Sequence, residues 1–218
     1  MRVLSLAVAQ PRMVDWNGGR IPTGIYKQAV QGRILLRRLN FDGDRQADLT
    51  VHGGPLKAAY CYPIEHYAFW KSELGIDDLP VGSFGENLTT EGLLEDSVHL
   101  GDRFAIGSAE VIVTQPRIPC FKLAIKFHSP DIIRRFLASG RTGFYLKVER
   151  EGDVAAGDEI TPLSQDSRAI SISQVNRLYM AKHYTSDDAA TVKTLQQIDV
   201  FPQDWKDYLA DQLTLRTP

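Results

Sequence analysis

The run Gly101-Asp102-Arg103-Phe104-Ala105-Ile106-Gly107-Ser108-Ala109-Glu110-Val111-Ile112-Val113-Thr114 decides the fold class. It holds two short apolar segments, 103–106 and 110–114, opened by a Gly-Asp turn. Short apolar or alternating runs bounded by turn residues read as β-strands. Working outward, the same reading gives strands at 2–9, 33–38, 57–62, 97–99, 143–149 and 159–163, with Glu151-Gly152-Asp153 as a further turn. Even spacing of short strands with only two helical interruptions predicts a sandwich or closed barrel rather than a βαβ sheet. The first interruption starts at Pro63, aligns Ile64, Tyr67, Ala68 and Leu74, and ends at Gly75. The second opens with Ser129 as N-cap, turns Ile132, Ile133, Phe136 and Leu137 inward and stops at Gly140.

After Thr161-Pro162-Leu163 strand alternation gives way to three helix-like segments. Ser173 is the expected cap of the first, Thr185 opens the second, and Pro202 starts the third, which carries Trp205, Tyr208, Leu209 and Leu213. The expected division is a mainly β unit over 1–163 and a small three-helix segment over 164–218.

The chain has 218 residues and a net charge of −2. Nine Lys/Arg face four Asp/Glu in 1–60, and eight face two in 117–150, whereas 65–96 carries one Lys against eight acids. Segregation of this kind suits a local anion site better than a nucleic-acid surface, which needs a basic domain as a whole. No apolar run reaches membrane-spanning length. The N-terminal Met1–Ala9 stretch is too short for a signal segment and reads as a first strand. With two distant cysteines, this predicts a cytoplasmic protein without a disulfide scaffold.

Those cysteines differ. Cys61 lies in Ala58-Ala59-Tyr60-Cys61-Tyr62, suited to core packing. Cys120 lies in Pro116-Arg117-Ile118-Pro119-Cys120-Phe121-Lys122, just past a strand end, between prolines and cations. Cations beside a thiol favour the thiolate, which attacks electrophiles and binds soft metals.

Three other stretches carry chemistry. Arg45, then His52-Gly53-Gly54-Pro55-Leu56-Lys57, fits a backbone concavity for an anion, though tight hairpin turns have the same composition. Phe84-Gly85-Glu86-Asn87 offers a carboxylate and an amide on a turn. Gly140-Arg141-Thr142-Gly143 presents an arginine suited to bidentate phosphate contact.

In this order the four motifs His52-Gly53-Gly54, Phe84-Gly85-Glu86-Asn87, Pro116–Lys122 and Gly140–Gly143 resemble the MOSC domain, named for the C-terminal region of molybdenum cofactor sulfurase. The match is closest to the stand-alone bacterial YiiM-like branch, which adds a three-helix tail. The resemblance implies a β-barrel that binds the molybdenum cofactor (molybdopterin), with Cys120 as the protein's ligand to the metal. It implies reduction of small N-hydroxylated compounds, hydroxylaminopurines or amidoximes, by oxygen-atom transfer. Arg45, Lys57 and Arg117 are assigned to the cofactor's charge, with Lys122 and Arg141 behind them; His52, Gly53, Gly54 and Asn87 complete the expected cofactor site. His52 and Glu86 are the candidate proton donors. No flavin or haem motif is present, so electrons are expected from an external, flavoprotein-type reductase. A non-catalytic carrier of the cofactor or of sulfur is the alternative. A thiol hydrolase is disfavoured, because no histidine has a context that commits it as a base.

Overall fold

The computed structural model describes residues 1–50 and 52–216. In chain order they form β1 (Arg2–Val8), β2 (Arg12–Trp16), β3 (Gly19–Thr23), β4 (Gln28–Ala29), β5 (Ile34–Leu36), β6 (Ala59–Pro63), α1 (Glu65–Leu74), β7 (Leu88–Glu91), β8 (Arg103–Ile106), β9 (Ala109–Pro116), α2 (Phe121–Phe127), α3 (Ile132–Ser139), β10 (Phe144–Arg150), β11 (Gly152–Val154), β12 (Ile160–Ser164), α4 (Ile172–Met180), α5 (Ser186–Leu195) and α6 (Gln203–Arg216). An eight-stranded sheet runs β12-β8-β9-β10-β6-β7-β1-β4, antiparallel except at β6–β7. The hairpin β8–β9, whose sequence set the fold class, lies near one end of it.

Two expectations change. Helix and strand claim roughly equal lengths of chain, so the fold is mixed rather than mainly β. The sheet also does not close into a strand-paired barrel among the described residues. Its seam holds one isolated bridge, Arg2 to Glu159, and a few backbone bonds such as Val3 N–H to the Asp158 carbonyl at 2.9 Å. Smaller differences have local causes. Residues 97–99 make a turn with a single bridge from His99 to Ser171 instead of a strand. Pro63 ends β6 rather than starting α1. Ser129 does not cap α3, and Ser171, not Ser173, caps α4 in a reciprocal box with Gln174.

The alternation of β6 and β10 sorts side chains onto two faces. Ala59, Cys61, Phe144, Leu146 and Val148 enter the main core, whereas Tyr60, Tyr62 and Tyr145 join a second, aromatic cluster with Trp70, Phe84 and Phe136. The main core continues without a break into the tail, through Ile172, Val175, Leu178, Val192, Leu195, Trp205 and Leu209. No helix among the described residues is long and apolar enough to cross a membrane.

Gly143 sits where the α3–β10 connection crosses β6. Its φ is +63°, and a Cβ there would lie 2.3 Å from the Cys61 carbonyl oxygen. Gly143→Ala is therefore expected to cost about 3 kcal/mol or more, seen as a lower urea midpoint with unchanged slope; an unaltered midpoint would show that this crossing is not tight.

Candidate functional site

β9 delivers the central segment. Its last residue, Pro116, pairs with Phe144 of β10, and the Arg117 N–H donates to the Gly143 carbonyl at 3.2 Å. The chain then turns through Ile118 and Pro119, and Cys120 stands in extended conformation (φ −111°, ψ 169°) immediately before α2. Cys120 is partly exposed, whereas Cys61 is fully buried, which pushes the Cys61 thiol up to about 12. The two cysteines thus separate into one available sulfur and one inert packing group.

The facing wall is fixed by a buried polar knot. Lys27 Nζ contacts Asp44 Oδ1 at 2.5 Å with both side chains out of solvent. The same oxygen accepts the Ala9 N–H at 2.8 Å, and Asp44 Oδ2 accepts Asn87 Nδ2 at 2.9 Å. This ties the 42–48 loop, and with it Arg45, to the end of β1 and the start of β7. Lys126 of α2 braces the same side, donating to the Ile25 and Gly82 carbonyls at 3.1 and 2.6 Å. Burial pulls its ammonium down to about 8.

Between the walls lies an open cavity of about 680 Å³, counting its mouth. Cys120, His52, Gly53 and Lys57 line it, together with Arg45, Arg117, Lys122 and Asn87. The motifs spread over 45–122 of the sequence therefore meet at one place.

Other expected residues lie elsewhere or are occupied. Glu86 is completely buried beneath the cavity, and its carboxylate accepts the Gly82 and Phe84 N–H groups at 2.9 and 3.0 Å, besides the Tyr67 and Thr89 hydroxyls. Oε1 takes three of these donors and Oε2 the Phe84 N–H, so the carboxylate organises Phe84–Asn87 and does not line the cavity. Asn87 borders the cavity, but its amide is spent on the Tyr60 N–H, the Ala7 carbonyl and Asp44. Arg141 does not line the cavity: its guanidinium lies 4.1 Å over the Phe69 ring and reaches the Ser139 carbonyl. Gly54 is not a lining residue either; it begins the short 3-10 turn Pro55–Lys57.

Sequence reasoning missed Lys27, Tyr60 and Tyr145, which also face the cavity. Tyr60 and Tyr145 are cross-strand partners with ring centroids 5.4 Å apart, a neighbour relation between β6 and β10 that no local spacing displays.

Electrostatics give the cavity its character. His52 is held down to about 4, chiefly by burial and then by Lys122, Lys57 and Arg117, so it is neutral at pH 7. Arg117 is 5 % exposed, its Nη1 has no hydrogen-bond partner, and no carboxylate is paired with it among the described residues. Its guanidinium lies 5.1 Å from the Tyr60 and Phe136 ring centroids, contacts that only partly offset a buried charge. Such a group fits an anionic ligand. No cluster of three or more His, Cys, Asp or Glu able to hold a metal ion exists among the described residues. A metal at Cys120 must therefore arrive with most of its ligands already attached.

That donor set, one accessible thiol in a basic cavity behind a tight double wall, is where the comparisons bear. The MOSC domain model matches residues 48–161. The chain belongs to the MOSC domain family. Its relatives include the uncharacterized protein YflK of Bacillus subtilis (strain 168), 44% identical over 186 residues and 84% of each chain. A protein named reductase from Gibberella moniliformis (strain M3125 / FGSC 7600) is 33% identical over 84% of this chain, which spans 33% of that longer protein. The crystal structure of YiiM from Geobacillus stearothermophilus superposes with a TM-score of 0.80 at 29% identity, covering 97% of this chain and 98% of the other. These likenesses are those of a stand-alone bacterial YiiM-like protein.

Removing the unpaired buried charge should help the empty protein and harm ligand binding. Arg117→Met is expected to raise the stability of the ligand-free protein by about 1–3 kcal/mol while weakening cofactor retention roughly 10–100-fold; thermal unfolding and pterin release from the purified protein measure the two. A variant that loses stability without ligand would contradict the orphan-charge reading.

Proposed function

We propose that this protein is a cytoplasmic molybdenum-cofactor-dependent reductase of small N-hydroxylated compounds. MOSC membership, the YiiM likeness and a relative named reductase support a molybdenum-cofactor-related function. The observation that carries the finer reading is Cys120 at the wall of a basic cavity whose Arg117 guanidinium nitrogen lacks a partner.

The residues fit the cofactor. Cys120 is the soft donor for its metal, and Arg117, Arg45, Lys57 and Lys122 surround its anionic portion. Bound there, the cofactor supplies two-electron oxygen-atom-transfer chemistry. The chain's own groups hold, orient and screen. Tyr60 and Tyr145 close one side with ring surface, and the Lys27–Asp44–Asn87 knot fixes the loop backbone from which the exposed Arg45 side chain borders the cavity. Neutral His52 offers one N–H and one lone pair at the cavity wall, and a dianion bound beside it would favour its protonated form. That couples occupancy to a proton that can be passed to a departing oxygen. Electrons are assigned to a separate flavoprotein-type reductase, and neither nucleic acid nor membrane enters the scheme.

Two results are expected. In protein reconstituted with cofactor and a chemical reductant, Cys120→Ala reduces turnover of an amidoxime to background with an intact fold, whereas Cys61→Ala keeps turnover and loses about 1–2 kcal/mol of stability. Steady-state rates and urea unfolding decide this, and a fully active Cys120→Ala would end the metal-ligand assignment; a loaded wild type that binds but never turns over would favour the carrier. Second, binding of pyrophosphate should take up a proton through His52. Its free imidazole titrates at about 4 and the anion raises that value, so affinity falls as pH rises from about 4 towards 7. Calorimetry in buffers of different ionisation enthalpy should show the uptake in wild type and its loss in His52→Asn; equal uptake in both would assign the proton elsewhere.

A further inference from the structure

The rim of the cofactor cavity carries charge and apolar surface that face solvent. Lys27, Arg45, Lys57, Arg117 and Lys122 line the cavity, and no Asp or Glu lines it. The chain as a whole is acidic, with a net charge of −2, so the positive field is concentrated at this opening. It also spreads onto the surface. Arg45 is exposed, and so is Arg12 at the start of β2. The Arg12 guanidinium lies 3.8 Å over the Tyr26 ring, and the Lys126 ammonium lies 5.7 Å from the same ring. Tyr26 directly follows Ile25, which lines the cavity.

Two large apolar side chains stand in solvent beside these cations. Phe121 is 51 % exposed, although its neighbours Cys120 and Lys122 both line the cavity. Leu49 is 68 % exposed, two positions after the lining residue Ala47, and the Asp48 carboxylate between them interacts with Lys122 and His52. Neither apolar side chain belongs to a hydrophobic core. An exposed ring among cations is what a transient protein interface presents: an apolar contact, with charge around it that steers the encounter.

The reaction indicates the partner. Converting R–NH–OH and two protons into R–NH₂ and water consumes two electrons, and the sequence carries no flavin or haem motif. Electron transfer weakens steeply with distance, so a donor must bring its own cofactor up to the cavity mouth. We propose that the rim formed by Phe121, Leu49, Arg12 and Arg45 is the docking surface for a small acidic flavoprotein that presents carboxylates around the exposed edge of its flavin. Phe121 makes the central contact, and Cys120 beside it in the chain joins that contact to the cavity. Each FMN hydroquinone gives up one electron, so two encounters supply the pair. The surface rests on the reductase reading for its purpose, but not for its attraction to an acidic face. A nucleic acid fits less well, because it needs a longer basic stripe and the rest of the chain is acidic.

The test uses the full chain loaded with cofactor, an amidoxime as substrate, and two reductants. Reduced methyl viologen is small and needs no docking; a reduced flavodoxin with an acidic flavin rim does. Phe121→Ser and Arg12→Glu change exposed residues outside the cofactor site. Each is expected to lower kcat/KM for flavodoxin about tenfold, and raising salt from about 0.05 to about 0.5 M should lower the wild-type value by a similar factor. Rates with methyl viologen should match wild type in both variants. Equal kcat/KM for flavodoxin in wild type and both variants, no dependence on salt, or no calorimetric binding of flavodoxin to wild type at low salt would overturn the docking surface. Self-association that Phe121→Ser abolishes, or single-stranded DNA that binds the rim more tightly than flavodoxin, would give the surface to another occupant and overturn it equally. A loaded wild type that methyl viologen cannot drive would sink the reductase reading alone; flavodoxin binding that both variants weaken would still uphold the surface.

Discussion

A guanidinium buried without a carboxylate is the constraint on which the site depends. Arg117 is drawn inside by the β9–β10 pairing and the Gly143 crossing, and it finds ring faces and the Tyr145 hydroxyl there but no carboxylate. Taking a charge out of water costs several kcal/mol unless something compensates it. The protein accepts that cost locally and offsets it with two continuous cores. Beside it His52 stays neutral, chiefly through its own burial and then through Lys122, Lys57 and Arg117, and Cys120 shares the cavity with the same cations.

The opposite wall shows how a different charge problem is handled. Asp44 is as deeply buried as Arg117, yet it has Lys27, the Ala9 N–H and Asn87 around it. Glu86 likewise has four donors. These saturated carboxylates are scaffold: they fix loops and have nothing left for a ligand. Among the described residues the buried side-chain atoms without a hydrogen-bond partner are Arg117 Nη1 and Gln115 Nε2.

Much of this was legible in sequence, for reasons that can be named. Cys120 stood out because prolines and cations are poor company for a packing thiol, and Cys61 because apolar neighbours are good company. Thr185 and its Asp188 partner form the reciprocal cap that the spacing announces. The β2–β3 hairpin also had a local signal, Asn17-Gly18, both with positive φ, which the strand reading passed over. Helix α2 was hidden because its seven residues are too few to show a period. Glu86 and Arg141 misled because residue type alone does not reveal occupancy. A carboxylate on a turn and an arginine between glycines look available until their donors, acceptors and ring contacts are seen. The partnership of Tyr60 with Tyr145, and of Gln115 with Trp205 of the tail, joins residues 85 and 90 positions apart, and only the folded chain supplies it.

The most direct test of the account is X-ray absorption at the molybdenum edge of the cofactor-loaded protein, compared with the Cys120→Ala variant loaded in the same way. One fewer sulfur neighbour in the variant is the predicted result. Identical sulfur coordination in the two proteins would show that the metal takes no ligand from position 120, and the reading of this cavity as a thiolate-anchored redox site would be wrong.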